Sequence, residues 1–324
     1  MRRALQVAAP TVALAVCLSV VELPLFVEAP GRARSVLPLI DVDGTSTYES
    51  EGRLLMTTVN VGRLNAFEAL AAWIDPQAEV IPEHVVIPPG LTDQEYERAS
   101  RSQMDQSKIA AVAVALELLT DYPDEHGPGV IVQDVLGGAP AEGRLFPGDL
   151  ITHVNGLPMA DVDQLRDAIG AAEGGRPVTL RVRPVEGGAA STVEVRPTRV
   201  EGVDRPVIGI ATVANFQYDV VIQSGTIGGP SAGLLWALGV IETLTPEDLT
   251  GGRVIAGTGS VDLEGRVGTI GGVRHKVVGA EDAGAEVFLL PRGDMADARG
   301  VGETIELVPV DTVEQALSFL EGSA

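Results

Sequence analysis

The chain has 324 residues, 45% hydrophobic and 21% charged, a size and composition that fit two or three folded domains and exclude long disorder. Its net charge of −22, with no basic patch carrying interleaved aromatics, argues against a nucleic-acid partner and otherwise reads as solubility. Cys17 is the single cysteine, so no intramolecular disulfide and no cysteine-based zinc site can form.

Arg2 and Arg3 precede an uncharged run from Ala4 to Val21, and the apolar stretch reaches Val27, broken by Glu22 and Pro24. A span of 24 residues is long enough to cross a bilayer, which needs roughly 20. The flanking arginines favour a cytoplasmic N-terminus, with the rest of the chain outside the cytoplasmic membrane. The rival reading is a cleaved signal peptide. Val27-Glu28-Ala29 loosely resembles a cleavage site, but Pro30 follows it. Cys17 is preceded by Val16 where lipidation favours a small residue, and reads as part of the apolar segment.

Residues 31–63 read as extended, with a β-prone run over Leu54–Val61. Asn65 is a candidate N-cap for a short helix through Trp73, and Ile81–Ile87 reads as extended again. Thr92 and Glu95 have the spacing of a capping box and open a helix predicted to run to Leu119, ended by Tyr122-Pro123. No chemistry is assigned to this region, which reads as a spacer from the membrane or packing between later domains.

From Gly127 to Val200 short strands and turns take over. Val130-Ile131-Val132, the turn at Gly137–Ala141, Gly148-Asp149-Leu150-Ile151, Val154-Asn155-Gly156, a capped helix from Asp161 and two closing strands follow in order. This succession resembles a bacterial PDZ domain. The resemblance implies peptide binding by strand addition at Gly129, Val130 and Ile131, with the backbone amides near Gly129 and Val130 receiving a terminal carboxylate. Family loops often read Gly-Leu-Gly-Phe. Here Pro128 stands in Gly127-Pro128-Gly129-Val130 and donates no N–H. The alternative is a packing module with a closed groove.

In Gly228-Gly229-Pro230-Ser231-Ala232-Gly233, the glycines permit a tight backbone approach and an apolar run of helical length follows. Ser231 thus sits at a helix N-terminus, where N–H groups and the helix dipole favour a developing oxyanion. Taken alone, Ser231 is equally an ordinary N-cap. The chain holds only two lysines, Lys108 and Lys276, against 21 arginines. A rare lysine suggests a place where an amine must lose its proton, which arginine cannot do. Lys276 follows Ile270-Gly271-Gly272 on a predicted helix, after a hairpin over Thr258–Val267.

Residues 206–320 resemble the proteolytic domain of Lon-type serine-lysine peptidases, and the whole resembles bacterial chains that join a membrane anchor, a PDZ module and such a domain. The resemblance implies Ser231 as nucleophile, Lys276 as its base and Thr258 as the hydroxyl supporting that lysine. His275 is one residue away on the helix and points about 100° off, so a Ser-His reading is disfavoured. Two positions depart from the family pattern. Gly228 replaces an acidic residue three before the serine, and Arg274 stands where many members have a second lysine. No Gly-x-x-x-x-Gly-Lys-Ser/Thr phosphate loop occurs in the sequence.

The predicted architecture is α/β (α+β, multidomain): a transmembrane helix (1–30), an α/β spacer (31–125), a PDZ domain (126–200) and a Lon proteolytic domain (201–324). The predicted activity is ATP-independent extracytoplasmic serine endopeptidase. Its expected partners are protein or peptide substrates and the membrane, with a homo-oligomer as the family's frequent form. No cofactor or metal is predicted; His84, His126 and His153 are scattered, and no metal-ligand spacing links them. The alternatives are a non-catalytic PDZ adaptor and a self-processing membrane protein.

Overall fold

The computed structural model describes residues 18–172, 176–185, 187–302 and 304–322. Most of the candidate span, Cys17 included, lies outside them. Its expected continuation to Val27 is corrected by a strand, β1 (Glu22–Pro30). After β2 (Arg34–Ser35), β3 (Ile40–Asp43) and β4 (Arg53–Met56) come β5 (Val59–Asn65), helix α1 (Ala66–Ile74) and β6 (Glu79–Pro82). Strand β1 lies between β5 and β6, antiparallel to both, so ladders on either side take up its backbone polar groups. Among the described residues no helix is long and apolar enough to cross a membrane.

The local signals place helix starts well. Asn65 Oδ1 accepts from the N–H groups of Phe67 and Glu68, both at 3.0 Å, and Glu68 accepts from Asn65 N–H at 2.9 Å, closing the capping box of α1. Residues 81–87 are not extended throughout. Pro82 ends β6 and caps the one-turn helix α2 (Glu83–Val86). Thr92 and Glu95 cap α3 (Asp93–Leu119) reciprocally. Every residue of α3 from Ser107 to Leu116 is buried, as expected of a helix that runs through a core.

The middle of the chain forms β7 (Gly127–Val135), β8 (Asp149–Val154), β9 (Leu157–Pro158), α4 (Val162–Gly170), β10 (Val178–Pro184) and β11 (Ser191–Val195). The C-terminal part adds β12 (Ile210–Asn215), β13 (Asp219–Ile222), α5 (Gly233–Leu244), β14 (Val254–Gly257), β15 (Ser260–Val261) and β16 (Val267–Gly268). It ends with α6 (Val273–Asp282), β17 (Val287–Pro291), α7 (Met295–Ala298), β18 (Glu306–Val310) and α8 (Val313–Glu321).

A five-stranded sheet of order β18-β17-β14-β4-β2 is the frame of the C-terminal part. Strands β18, β17, β14 and β4 run parallel, and β2 closes the edge antiparallel. Successive strand residues point to opposite faces. Leu54 and Met56 of β4, Ile255 of β14 and Leu289 of β17 join the core built with α3 and α5. Leu55, Ala256, Phe288 and Leu290 join a second core with Val273, Val277 and Ala280 of α6. A parallel sheet covered on both faces needs apolar residues at every position, which explains the unbroken Leu54-Leu55-Met56.

Residues 31–125, read from sequence as a spacer, are thus built into the same layers as residues 201–324. Strand β4 pairs with β14, β3 pairs with β13, and α3 packs beside α5. The PDZ-like sheet, of order β11-β10-β8-β7-β12, branches from this body with its own core.

Candidate active site

Ser231 lies in the turn between β13 and α5, one residue before Ala232, the N-cap. Helix α3 holds this turn from one side. Gly229 N–H donates to Ser100 O at 2.8 Å, and Ser107 Oγ donates to Pro230 O at 2.9 Å. The end of β14 holds it from the other. Ser231 O accepts from Gly259 N–H at 2.8 Å and from Thr258 Oγ1 at 3.0 Å. The side chain of half-buried Ser231 therefore projects from a backbone fixed at both ends, beside the N-terminal turn of a ten-residue fully buried run, Gly233–Glu242.

Lys276 stands on the second turn of α6 and is only 4% exposed. Its Nζ donates to Thr258 Oγ1 at 3.2 Å, and Thr258 itself is wholly buried. Burial pushes the Lys276 ammonium down to about 8, against the opposing pull of the Asp294 and Glu28 carboxylates. At pH 7 about one amine in ten is then neutral, compared with fewer than one in a thousand for a free lysine. Serine turn, threonine and lysine thus form one connected set. A buried amine that gives up its proton more easily, a hydroxyl at a helix start and a threonine that bonds both the amine and the serine's backbone carbonyl suit acyl transfer.

The C-terminal part matches the model of the Lon protease (S16) C-terminal proteolytic domain over residues 211–320, and residues 110–196 match the PDZ domain. The chain joins a PDZ domain to a Lon-type serine-protease domain. A Lon protease of Clostridioides difficile is 40% identical over 93 residues, covering 28% of this chain and 12% of that relative. Lon protease 1 of Myxococcus xanthus is 32% identical over 135 residues, covering 40% of this chain and 16% of the relative. The chain therefore spans a small fraction of the curated relatives it matches. The PDZ domain of an SdrC-like protein from Listeria innocua is 27% identical, with 28% of this chain and 98% of that one covered, at a TM-score of 0.25.

Within the Lon-type domain, the two departures from the family pattern have local explanations. A Cβ at Gly228 would stand 2.4 Å from Ser100 Oγ and 3.2 Å from Ser100 Cβ, so α3 occupies the space that an acidic side chain would need. Arg274 is exposed, and its guanidinium donates to Asp297 O at 3.4 Å. Lys108, the other lysine, is also buried but ion-pairs with Asp105 on its own helix at 2.8 Å. His275 Nε2 lies 3.8 Å from Glu79, with no hydrogen-bond partner among the described residues. Donor atoms of Glu28, Glu79 and His275 lie within 4.8 Å of one another, the only potential metal-holding group among the described residues. His126 and His153 bond to Gly127 O and Thr152 Oγ1 and do not converge with the others.

In the PDZ domain the expected carboxylate site is displaced. Gly129, Val130 and Ile131 belong to β7, which β8 flanks on one side and β12 on the other. Val130 pairs with Ile151 and Ala214, Ile131 with Leu150 and Val213, and both are wholly buried. Gly129 N–H donates to Ala160 O at 3.3 Å. A strand with neighbours on both edges cannot accept a third, so the expected peptide site at Gly129, Val130 and Ile131 is corrected. On the β7 side the sheet ends with β12. Beside it and α4 runs a groove of about 630 Å³ lined by Val162, Leu165, Ile169, Ile208, Ile210 and Thr212, among others.

Sequence reasoning missed two further contributors. Asp294, buried beneath the site, accepts from Ile270 N–H at 2.9 Å and bears electrostatically on Lys276. Its place before a short helix gave no signal. The groove segment Ile208-Gly209-Ile210 did carry one, an apolar–glycine–apolar pattern, but it lies beyond the domain boundary drawn at Val200.

Proposed function

We propose that this chain is a nucleotide-independent serine endopeptidase, anchored by its N-terminal apolar run with its folded domains outside the cytoplasmic membrane. The observation that carries the catalytic reading is the hydrogen-bonded connection from Lys276 through Thr258 to the backbone of Ser231. In this reading Thr258 orients the neutral amine toward Ser231, and Lys276 Nζ takes the Ser231 hydroxyl proton as Oγ attacks the scissile carbonyl. The oxyanion develops at the start of α5, where backbone N–H groups and the dipole favour it. The Lys276 ammonium then gives its proton to the leaving amine, and the acyl-enzyme forms. Water, deprotonated by the same amine, attacks the ester and frees Ser231.

Nucleotide independence rests on the lack of a phosphate loop in the sequence. The anchor is read as residues 4–21, an uncharged run with two arginines on its N-terminal side. In the PDZ domain, extended peptides are proposed to add to β12 and to place side chains against α4, recruiting substrates or gating the site.

The test is cleavage of an unfolded protein without nucleotide by the wild type, Ser231→Ala and Lys276→Ala. The dyad predicts cleavage by the wild type, with both variants reduced about a thousandfold or more. Equal cleavage by all three sinks the assignment. Conversion of the wild-type chain alone, with added protein untouched, would favour self-processing.

A further inference from the structure

Helix α1 turns an apolar face to solvent. Phe67, Leu70, Trp73 and Ile74 are 50%, 55%, 83% and 75% exposed, and Ala72 is the only buried residue of the helix. Phe67, Leu70 and Ile74 recur at helical spacing on one face, with Trp73 at its border. The other tryptophan, Trp236, is wholly buried, so exposure is not the habit of this residue in the chain. The one charged side chain of α1, Glu68, is turned back to cap Asn65 N–H. A contiguous apolar surface of this kind marks a contact with something apolar.

The position of α1 identifies that contact. Asn65, which caps α1, is the register partner of Glu22. Glu22 is the first residue after the uncharged run that ends at Val21, and Val20 and Val21 are themselves exposed. Adjacent strands lie about 5 Å apart, so the run ends within about one strand spacing of the helix start. A chain leaving a bilayer at Val21 therefore sets α1, only about 14 Å long, at the level of the headgroups. Exposed tryptophan and phenylalanine suit that layer, and a short apolar-faced helix can lie in its plane.

We infer that α1 is a membrane-surface contact, laid on the lipid bilayer beside the N-terminal span. This rests on the reading of residues 4–21 as that span. It gives the domain two attachments instead of one, and so a fixed orientation. Strand β1 touches both α1 and α6, the helix of Lys276. The candidate catalytic site then faces a set distance from the membrane, and the substrates it meets are chains emerging from or lying near the bilayer.

The test uses the full chain in vesicles of phosphatidylcholine and phosphatidylglycerol, with and without brominated acyl chains. Flotation reports attachment, and the emission of wild type minus Trp73→Phe reports Trp73. The expected result is flotation, with Trp73 emission blue-shifted and quenched about twofold or more by the brominated lipid. Leu70→Ser with Ile74→Ser should abolish that quenching while the chain still floats. Flotation with Trp73 red-shifted and unquenched overturns the surface contact and leaves the anchor standing. Failure to float at all overturns both. Trp73 emission that is blue-shifted, unquenched and dependent on protein concentration assigns the face to a second copy of the chain and also overturns the proposal.

Discussion

Lys276 Nζ meets Thr258 Oγ1 at 3.2 Å, and the same hydroxyl donates to Ser231 O at 3.0 Å. One threonine thus fixes both the amine and the backbone of the serine. Thr258→Val keeps the shape and removes both bonds, and should lower kcat about 10- to 100-fold with little change in KM. Thr258→Ser should recover most of the loss. Steady-state kinetics on a fluorogenic peptide decides this, and an unchanged kcat in Thr258→Val would remove Thr258 from the mechanism.

Activity should rise with pH along an acid limb centred near 8, because only the neutral amine accepts the proton. The Asp294 carboxylate favours the charged form of Lys276, so Asp294→Asn should move that limb to lower pH. An asparagine oxygen can still accept from Ile270 N–H, which separates the electrostatic effect from collapse of the loop. The pH profile of kcat/KM measures it, and a limb that stays or moves up contradicts the prediction.

The same burial should weaken the fold. The native lysine binds its proton less tightly than the unfolded one, so the unfolded state holds more protons between about pH 8 and the ordinary lysine range. The Lys276 contribution to stability therefore improves as pH rises through that window, and its cost is fully present below pH 8. Lys276→Met should raise stability at pH 7 by about 1–2 kcal/mol while abolishing activity, as read by denaturant unfolding.

Gly228 and Ser100 should be energetically coupled. Gly228→Ala should cost about 1 kcal/mol and reduce activity, because its Cβ meets Ser100. Ser100→Gly alone should cost little, and the double variant should recover most of the loss. Simple additivity in the double-mutant cycle would show that the contact does not set this position.

Much of the candidate site was legible because it is carried by local motifs. The caps at Asn65 and Thr92, the glycine-rich turn before Ser231 and the helix bearing Lys276 are each written within a few residues. What was not legible is pairing at long range. Leu54-Leu55-Met56 announces a buried strand, but no local pattern says that its neighbour is Val254–Gly257, some 200 residues away. The apolar run before Glu22 likewise reads as continuous with Leu23–Val27, although the partners offered by β5 and β6 make the latter a strand. Gly129, Val130 and Ile131 read as a binding edge for the same reason. Their own sequence is strand-like, and only the arrival of β12 shows that the edge is taken.

Peptide binding should accordingly register on β12 and α4. Peptides with apolar C-termini should slow amide exchange at residues 210–214 and leave Val130 and Ile131, already buried between two strands, unchanged. Gly209, at φ +77° and with its would-be Cβ 2.2 Å from Ala139 Cβ, tolerates no side chain. Gly209→Ala should cost about 2 kcal/mol and weaken the peptide effect. Protection confined to β7 would place the peptide on Gly129, Val130 and Ile131 instead.

Strand β12 also bears on how the two modules can be separated. It completes the PDZ sheet, yet all but its first residue lie within the Lon-type match. A fragment cut at residue 200 would leave β7 with a bare edge, and the protease half would begin with a strand stripped of its partner. The modules therefore share one piece of chain and are not beads on a string. Any exchange of the PDZ domain for another, by recombination or by design, has to carry residues through Asn215 and refit the protease to them.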